Sequence, residues 1–101
     1  MMFSLAQIIE RLEKATGSDM EIDTAIHVSL GRGGTTTPHY TGSIHAAASL
    51  VPAGWTLAEF GSSGRGGFVA AVVNADDVFV EARGVTAVTA VAGAALKART
   101  T

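Results

Sequence analysis

The chain has 101 residues and no cysteine, which favours a single domain and excludes disulfides, thiolate catalysis and cysteine-bound zinc. Hydrophobic residues make up 48% of the sequence and charged residues 16%, a composition typical of a packed globule and unlike that of a disordered chain. The formal net charge of -2 argues against nucleic acid as a partner, and no apolar run reaches the roughly 18 residues that a membrane span needs.

The chain opens with a pattern that predicts an amphipathic helix over residues 4–16. Ser4 would cap its N-terminus, and Gly17 would end it in the left-handed conformation. The apolar side chains recur at the spacing of one helical face, and they are Leu5, Ile8, Ile9 and Leu12.

A second helix is predicted to follow at once. Ser18 and Glu21 match the Ser-x-x-Glu capping box, and Gly31 would stop the helix after Leu30. Residues 31–42 contain four glycines and a proline, which predicts a loop.

Ser43 is the expected N-cap of a short third helix that Pro52 stops. Alternation then predicts a strand over residues 55–60, and the segments 68–73 and 78–82 are predicted as two further strands, so that the three form an antiparallel meander. A last helix is predicted over residues 86–99.

Two features of the second half bear on the architecture. The strand at residues 68–73 is apolar without interruption, which is typical of a strand buried on both faces. The last helix is apolar almost all round, so it cannot lie on the surface with one side in water. We therefore predict an α/β domain of the α+β type, a three-layer α-β-α sandwich in the order ααα-βββ-α, with helices on both faces of a small three-stranded antiparallel sheet. The alternative is a thinner domain that covers its second sheet face with another subunit.

Several segments also carry a family resemblance. They are Tyr40–Ala47, Leu50–Trp55, Ile22-Asp23 and the terminal stretch 94–99. On these the chain resembles the phage α-β-α sandwich domain family, small proteins of tailed phages and prophages. The resemblance implies a layered α-β-α fold and a phage origin, and it implies no reaction. Members usually carry Asp where this chain has His45, so no acidic role is implied there.

The second helix holds the best candidate for metal chemistry. Asp19, Asp23 and His27 are each four residues apart and so share one helical face, and His39 or His45 could complete a divalent-metal site. The alternative is structural, because acidic residues favour the first turn of a helix and Asp23 with His27 can form a surface pair. We favour the structural interpretation and predict no metal or other cofactor.

Serine catalysis is disfavoured by position. Ser43 lies near His39 and His45, but a helix cap already occupies its oxygen. Ser62 and Ser63 lie in a glycine-rich loop that lacks the strand-to-helix elbow of a hydrolase nucleophile. We predict no enzymatic activity and no small-molecule substrate.

Two loops repeat the sequence Gly-Arg-Gly-Gly, at residues 31–34 and 64–67. Their backbone amides, with Arg32 and Arg65, could hold an anion or a nucleic acid. Neither loop matches a P-loop, so we favour the interpretation as surface turns and keep anion binding as the alternative function.

These patterns together predict a non-enzymatic phage accessory protein. It would act in the host cytoplasm through protein–protein contacts, including contacts with itself as a homodimer. The apolar last helix is the main reason for the self-contact, and Trp55 is expected to be a core anchor.

Overall fold

The computed structural model describes residues 4–32, 36–62 and 66–100. It is a mixed α+β domain in which helices pack with an antiparallel sheet. The elements are α1 (Leu5–Lys14), α2 (Met20–Ser29), α3 (Ile44–Ala48), β1 (Trp55–Ser62), β2 (Phe68–Asn74), β3 (Phe79–Gly84) and α4 (Ala87–Arg99). None of these helices has the length and apolar character needed to span a bilayer.

Helix α1 begins as predicted and ends early. The Ser4 hydroxyl accepts a hydrogen bond from the backbone N–H of Gln7, and the Gln7 side chain accepts one from the backbone of Ser4. The prediction that Gly17 ends the helix is wrong. The backbone is already extended at Ala15, so the chain has left the helix before it reaches the glycine.

The cap of α2 also differs from the prediction by one residue. Asp19 is the N-cap, because its Oδ1 accepts from the backbone N–H groups of Glu21 and Ile22. Ser18 packs against Gly42, where an added Cβ would lie 2.9 Å from the serine Oγ. Gly31 adopts a φ of 68°, which confirms the predicted left-handed stop after α2.

The three strands form a meander in the order β1-β2-β3, and both pairs are antiparallel. A register shift between Leu57 and Glu59 bulges β1. The register assigns side chains to two faces by alternation. We call the face that packs on the core the inner face; it carries Trp55, Leu57, Phe68, Ala70, Val72, Val80 and Ala82. The opposite or outer face carries Thr56, Glu59, Val69, Ala71, Val73, Phe79, Glu81 and Arg83.

Helix α4 lies at the centre of the domain. It packs along the inner face of all three strands on one side and against α1 and α3 on the other, and α2 packs on α1. Every residue from Thr89 to Leu96 is buried, which explains why this helix is apolar almost all round. Small residues bring it close to β3: a Cβ added at Gly93 would lie 3.1 Å from that of Ala82.

The layers therefore differ in order from the expected sandwich. In the described part of the chain, α4 is the middle layer, and the outer face of the sheet carries no helix. Ala71 on that face is buried although its strand neighbours Glu59 and Glu81 are exposed. A small side chain between longer neighbours is buried without a covering layer. The apolar sequence of β2 therefore does not require a helix on the outer face of the sheet.

Substituting Gly84 tests the close contact between β3 and α4. A Cβ at this position would lie 2.7 Å from the backbone nitrogen of Ala90, so Gly84→Ala must push the helix away from the strand. We expect the free energy of unfolding to fall by about 1–3 kcal/mol, as for other overpacked cores. Urea denaturation measures this value. Gly61→Ala is the matched control in β1, because nothing lies within 4 Å of its added Cβ. An equal change in both variants would contradict the packing argument.

Candidate functional site

Thr41 ties the segment before α3 to the N-terminal half of α2. Its backbone N–H and its hydroxyl both donate to Asp23 Oδ1, each at 2.8 Å. Its hydroxyl oxygen also accepts from the backbone N–H of Asp19 at 2.7 Å. Thr41 and Asp23 are both buried, at about 1% exposure, so these bonds are shielded from water and hold the segment firmly.

The second carboxylate oxygen of Asp23 has a different environment from the first. Asp23 Oδ2 is buried and makes no hydrogen bond. His39 Nδ1 lies 4.0 Å from Asp23 Oδ2, on a side chain that is 75% exposed. That distance is too long for a hydrogen bond and is at the limit of an ion pair. Asp23 Oδ1 therefore accepts hydrogen bonds from Thr41, whereas Oδ2 has only the distant His39 ring beside it.

A second group of polar side chains surrounds the hydroxyl of Tyr40, which is fully buried. Arg32 Nη1 donates to Tyr40 Oη at 3.1 Å, and His27 Nδ1 lies 3.1 Å from the same oxygen. The arginine can only donate. The tyrosine oxygen therefore accepts from Arg32, and its O–H remains available for the contact with His27.

Arg99 is the last residue of α4. Its Nε donates to the backbone carbonyl of Leu50 at 2.9 Å. Burial lowers the pKa of the Arg99 guanidinium, the positive charge of Arg32 lowers it further, and Tyr40 acts in the opposite direction.

The predicted metal ligands are separated into different contacts. Asp19 caps α2, Asp23 binds Thr41, and His27 binds Tyr40. His39 is the only histidine of the expected set that the structure places within ion-pair distance of Asp23 among the described residues, and His45 is exposed on α3. Across the described ranges, no three His, Asp or Glu side chains come close enough to hold one metal ion. Asp19 has the structural role at the start of α2 that we favoured, whereas the expected surface pair of Asp23 with His27 is wrong, because Asp23 is buried against Thr41.

The structure also gives the positions of most of the other residues that the sequence singled out. Ser43 caps α3 through a bond from the backbone N–H of Ala46, which confirms that its hydroxyl is engaged. Trp55 is half-buried and packs on the core, as expected. Arg32 lies at the Tyr40 group, whereas Arg65 and Ser63 lie outside the described residues, so the expected pairing of Arg32 with Arg65 stays a prediction.

The outer face of the sheet is the other candidate site. It has three cross-strand rows, which are Thr56–Val73–Phe79, Glu59–Ala71–Glu81 and Gly61–Val69–Arg83. The central strand is apolar in every row, and polar side chains occupy most positions on the flanking strands. Phe79 is 60% exposed, although an aromatic ring of this size is ordinarily buried.

Comparisons with protein-family models, with curated proteins and with solved structures found no match. The resemblance to the phage α-β-α sandwich domain family therefore depends on the sequence motifs alone.

Sequence reasoning missed the roles of Tyr40, Thr41 and Arg99. Tyr40 and Thr41 stand in a glycine-rich loop whose composition predicted no fixed structure, and the apolar residues around Arg99 gave no sign of a polar neighbour. One signal was present: Asp23 falls on the same side of α2 as the buried Ile22 and Ile26, and an acidic residue among apolar ones requires a buried hydrogen-bond donor.

The Asp23–Thr41 contact can be tested by removing the carboxylate. In Asp23→Ala, the buried N–H and hydroxyl of Thr41 lose their shared acceptor. We expect the free energy of unfolding to fall by about 2 kcal/mol, the usual cost of buried donors left without a partner. Chemical denaturation measures it. Asp76→Ala is the control, since Asp76 is exposed in the turn after β2. A loss no larger than that of the control would show that the buried carboxylate does not hold the segment.

Proposed function

We propose that this protein acts without catalysis by binding protein, in the first place a second copy of itself, through the outer face of its sheet. The observation that carries the proposal is the exposed ring of Phe79 beside an apolar central strand. Aromatic side chains bury a large apolar area and are enriched in protein–protein interfaces.

Exposed apolar side chains occur on β3 and at both of its ends. Six large hydrophobic residues are exposed in the described part of the chain, and three of them, Val78, Phe79 and Val85, belong to β3 or adjoin it. Phe79 lies on the outer face, whereas Val78 and Val85 flank the strand at its two ends. The exposed ring of Phe79 supports the outer face as the contact.

The sheet edges are less suited to self-association than the face. The bulge between Leu57 and Glu59 disturbs the ladder of β1, and Lys97 Nζ donates to the carbonyl of Glu81 on β3. Bulges and lysines at edge strands are common ways of preventing strand addition. Contact through the outer face leaves both edges as they are.

The charges on the outer face suit a second copy. Glu59 and Glu81 form an acidic row, and Arg83 lies in the next row. A two-fold axis passing between these rows would set the Arg83 of each copy against the acidic row of the other. Such an isologous contact makes the same surface complementary to itself.

The size of the face indicates a weak dimer. Three strands about 4.8 Å apart and six residues of about 3.3 Å each give a planar area of roughly 300 Å². Stable interfaces bury about 800 Å² on each partner. We therefore expect association that depends strongly on protein concentration.

This contact replaces the one that the sequence suggested. The apolar helix α4 is covered by α1, α3 and the sheet of its own domain, so it offers no surface to a partner. A second copy on the outer face would supply the covering that the sequence analysis expected on that side of the sheet. A role as an accessory protein of a tailed phage, in the host cytoplasm, stays part of the proposal and is supported only by the motif resemblance.

The test is the effect of Phe79→Glu on the mass in solution. We expect the wild-type mass, measured by light scattering behind a sizing column, to rise from monomer toward dimer as protein concentration increases. Phe79→Glu should remain a monomer throughout, because a carboxylate would be buried in the contact.

Val28→Glu is the matched control. Val28 is 51% exposed on α2, away from the sheet, and the substitution adds the same charge. This variant should associate as the wild type does. A wild-type protein that stays monomeric at every concentration would overturn self-association, and equal loss in both variants would mean that net charge rather than the outer face governs it.

A further inference from the structure

The second oxygen of Asp23 is a buried carboxylate atom beside a side chain whose charge changes near neutral pH. In the described part of the chain, Asp23 Oδ2 makes no hydrogen bond. His39 Nδ1 lies 4.0 Å from it, and the side chains of His39 and Asp23 are 75% and 2% exposed. A hydrogen bond from a charged nitrogen to a carboxylate is about 2.8 Å long, so the imidazole needs to approach by only about 1.2 Å to form one.

The backbone of His39 is held in place, whereas its ring lies largely in solvent. The carbonyl of His39 accepts from the backbone N–H groups of Gly42 at 3.1 Å and Ser43 at 2.8 Å. Thr41, two residues further on, binds Asp23 Oδ1. An exposed side chain changes rotamer freely, so the ring can approach Oδ2 by rotation about its own bonds while the backbone stays where it is.

The other titratable groups near Asp23 on its own helix and in the following segment are engaged elsewhere. The Asp19 carboxylate caps α2. His27 Nδ1 lies 3.1 Å from Tyr40 Oη, and Arg32 donates to the same oxygen. These contacts direct the three charged or titratable side chains to partners other than the second carboxylate oxygen of Asp23.

Helix α1, which packs on α2, supplies no cation to that oxygen. Arg11 binds Glu21 at 2.6 Å, Lys14 lies 3.6 Å from Glu10, and Glu13 is exposed. Among the described residues, the imidazole described above is therefore the one basic group within ion-pair distance of the buried carboxylate.

We propose that Asp23 and His39 form a pH-sensitive latch on the segment that joins α2 to α3. Below about pH 6.5, the usual midpoint of a histidine titration, the imidazole is charged and both of its nitrogens are donors. Nδ1 then donates to Asp23 Oδ2, and both carboxylate oxygens hold the segment. Above that pH the ring is neutral, so its contact with the carboxylate is weaker.

The latch makes the stability of the domain depend on pH in a defined direction. The unfolded chain does not bring His39 and Asp23 together, so the folded state binds the histidine proton more tightly. The free energy of unfolding therefore falls as pH rises. The contribution of the latch is fully present below about pH 6.5 and is lost as the pH rises through the point at which the folded protein releases this proton.

The latch is independent of the proposed self-association, because it involves no residue of the outer face. It acts on the segment that carries Tyr40 and Thr41 and leads into α3. That segment should therefore open more readily at alkaline pH than at mildly acidic pH.

Urea denaturation of the wild type and of His39→Gln at about pH 5.5 and about pH 8 tests the latch, because these values lie on either side of the histidine midpoint. In the wild type, we expect the equilibrium constant for unfolding to be about fivefold larger at the higher pH, a factor between those of an exposed ion pair and a buried bond to a charged group. His39→Gln keeps a polar side chain that does not titrate, so it should lose this ratio.

His45→Gln is the matched control. His45 is exposed on α3, and the substitution removes another imidazole while leaving the latch intact. This variant should keep the wild-type ratio. An equal ratio in the wild type and His39→Gln, or an equal loss in both variants, would overturn the proposal.

An NMR titration of the wild type gives a second readout that needs no variant. The backbone N–H of Thr41 donates to the same carboxylate, so its resonance should shift with the midpoint of the His39 ring resonances. A Thr41 resonance that stays constant while the ring titrates would also contradict the latch, even if His39→Gln failed to fold.

Discussion

The fold depends on the burial of α4 from every side. A helix whose residues from Thr89 to Leu96 are all buried must have a layer on each side, and here the sheet supplies one while α1 and α3 supply the other. The small residues of this helix follow from that position, because two layers can approach it closely only where side chains are short. The central layer of the domain is therefore a single helix, and the sheet becomes a surface.

The polar interior is built around the segment that joins α2 to α3. Thr41 binds Asp23, and the adjacent Tyr40 binds Arg32 and His27. These bonds replace the regular backbone ladder that a glycine-rich segment cannot form, so the path of the chain depends on a few side chains. In the described part of the chain, this arrangement leaves Asp23 Oδ2 buried without a hydrogen bond.

Local sequence signals predicted the elements well and their assembly less well. Ser4, Ser43 and Gly31 act as predicted, because capping and left-handed turns depend on neighbouring residues alone. The cap at Asp19 was missed because two adjacent residues could each serve, and in the structure Asp19 caps the helix while Ser18 packs on Gly42. The layer order was missed because the apolar residues of β2 and α4 predict that these elements are buried, but they do not indicate which element packs against them. The contacts of Tyr40 and Arg99 could not be predicted from the sequence, since they join residues that are far apart in the chain.

The position of α4 in the sequence has a consequence for how the chain folds. Helix α4, on which the sheet and the other helix layer pack, is the last of the described elements in the sequence. The contact of α1 with α4 therefore forms only after about 80 more residues have been synthesised. During synthesis the three N-terminal helices and the sheet emerge with their apolar faces uncovered. Contacts between such distant segments slow folding, because a long loop must close before they form. The domain is therefore expected to complete its core only after α4 has left the ribosome, in one late cooperative step.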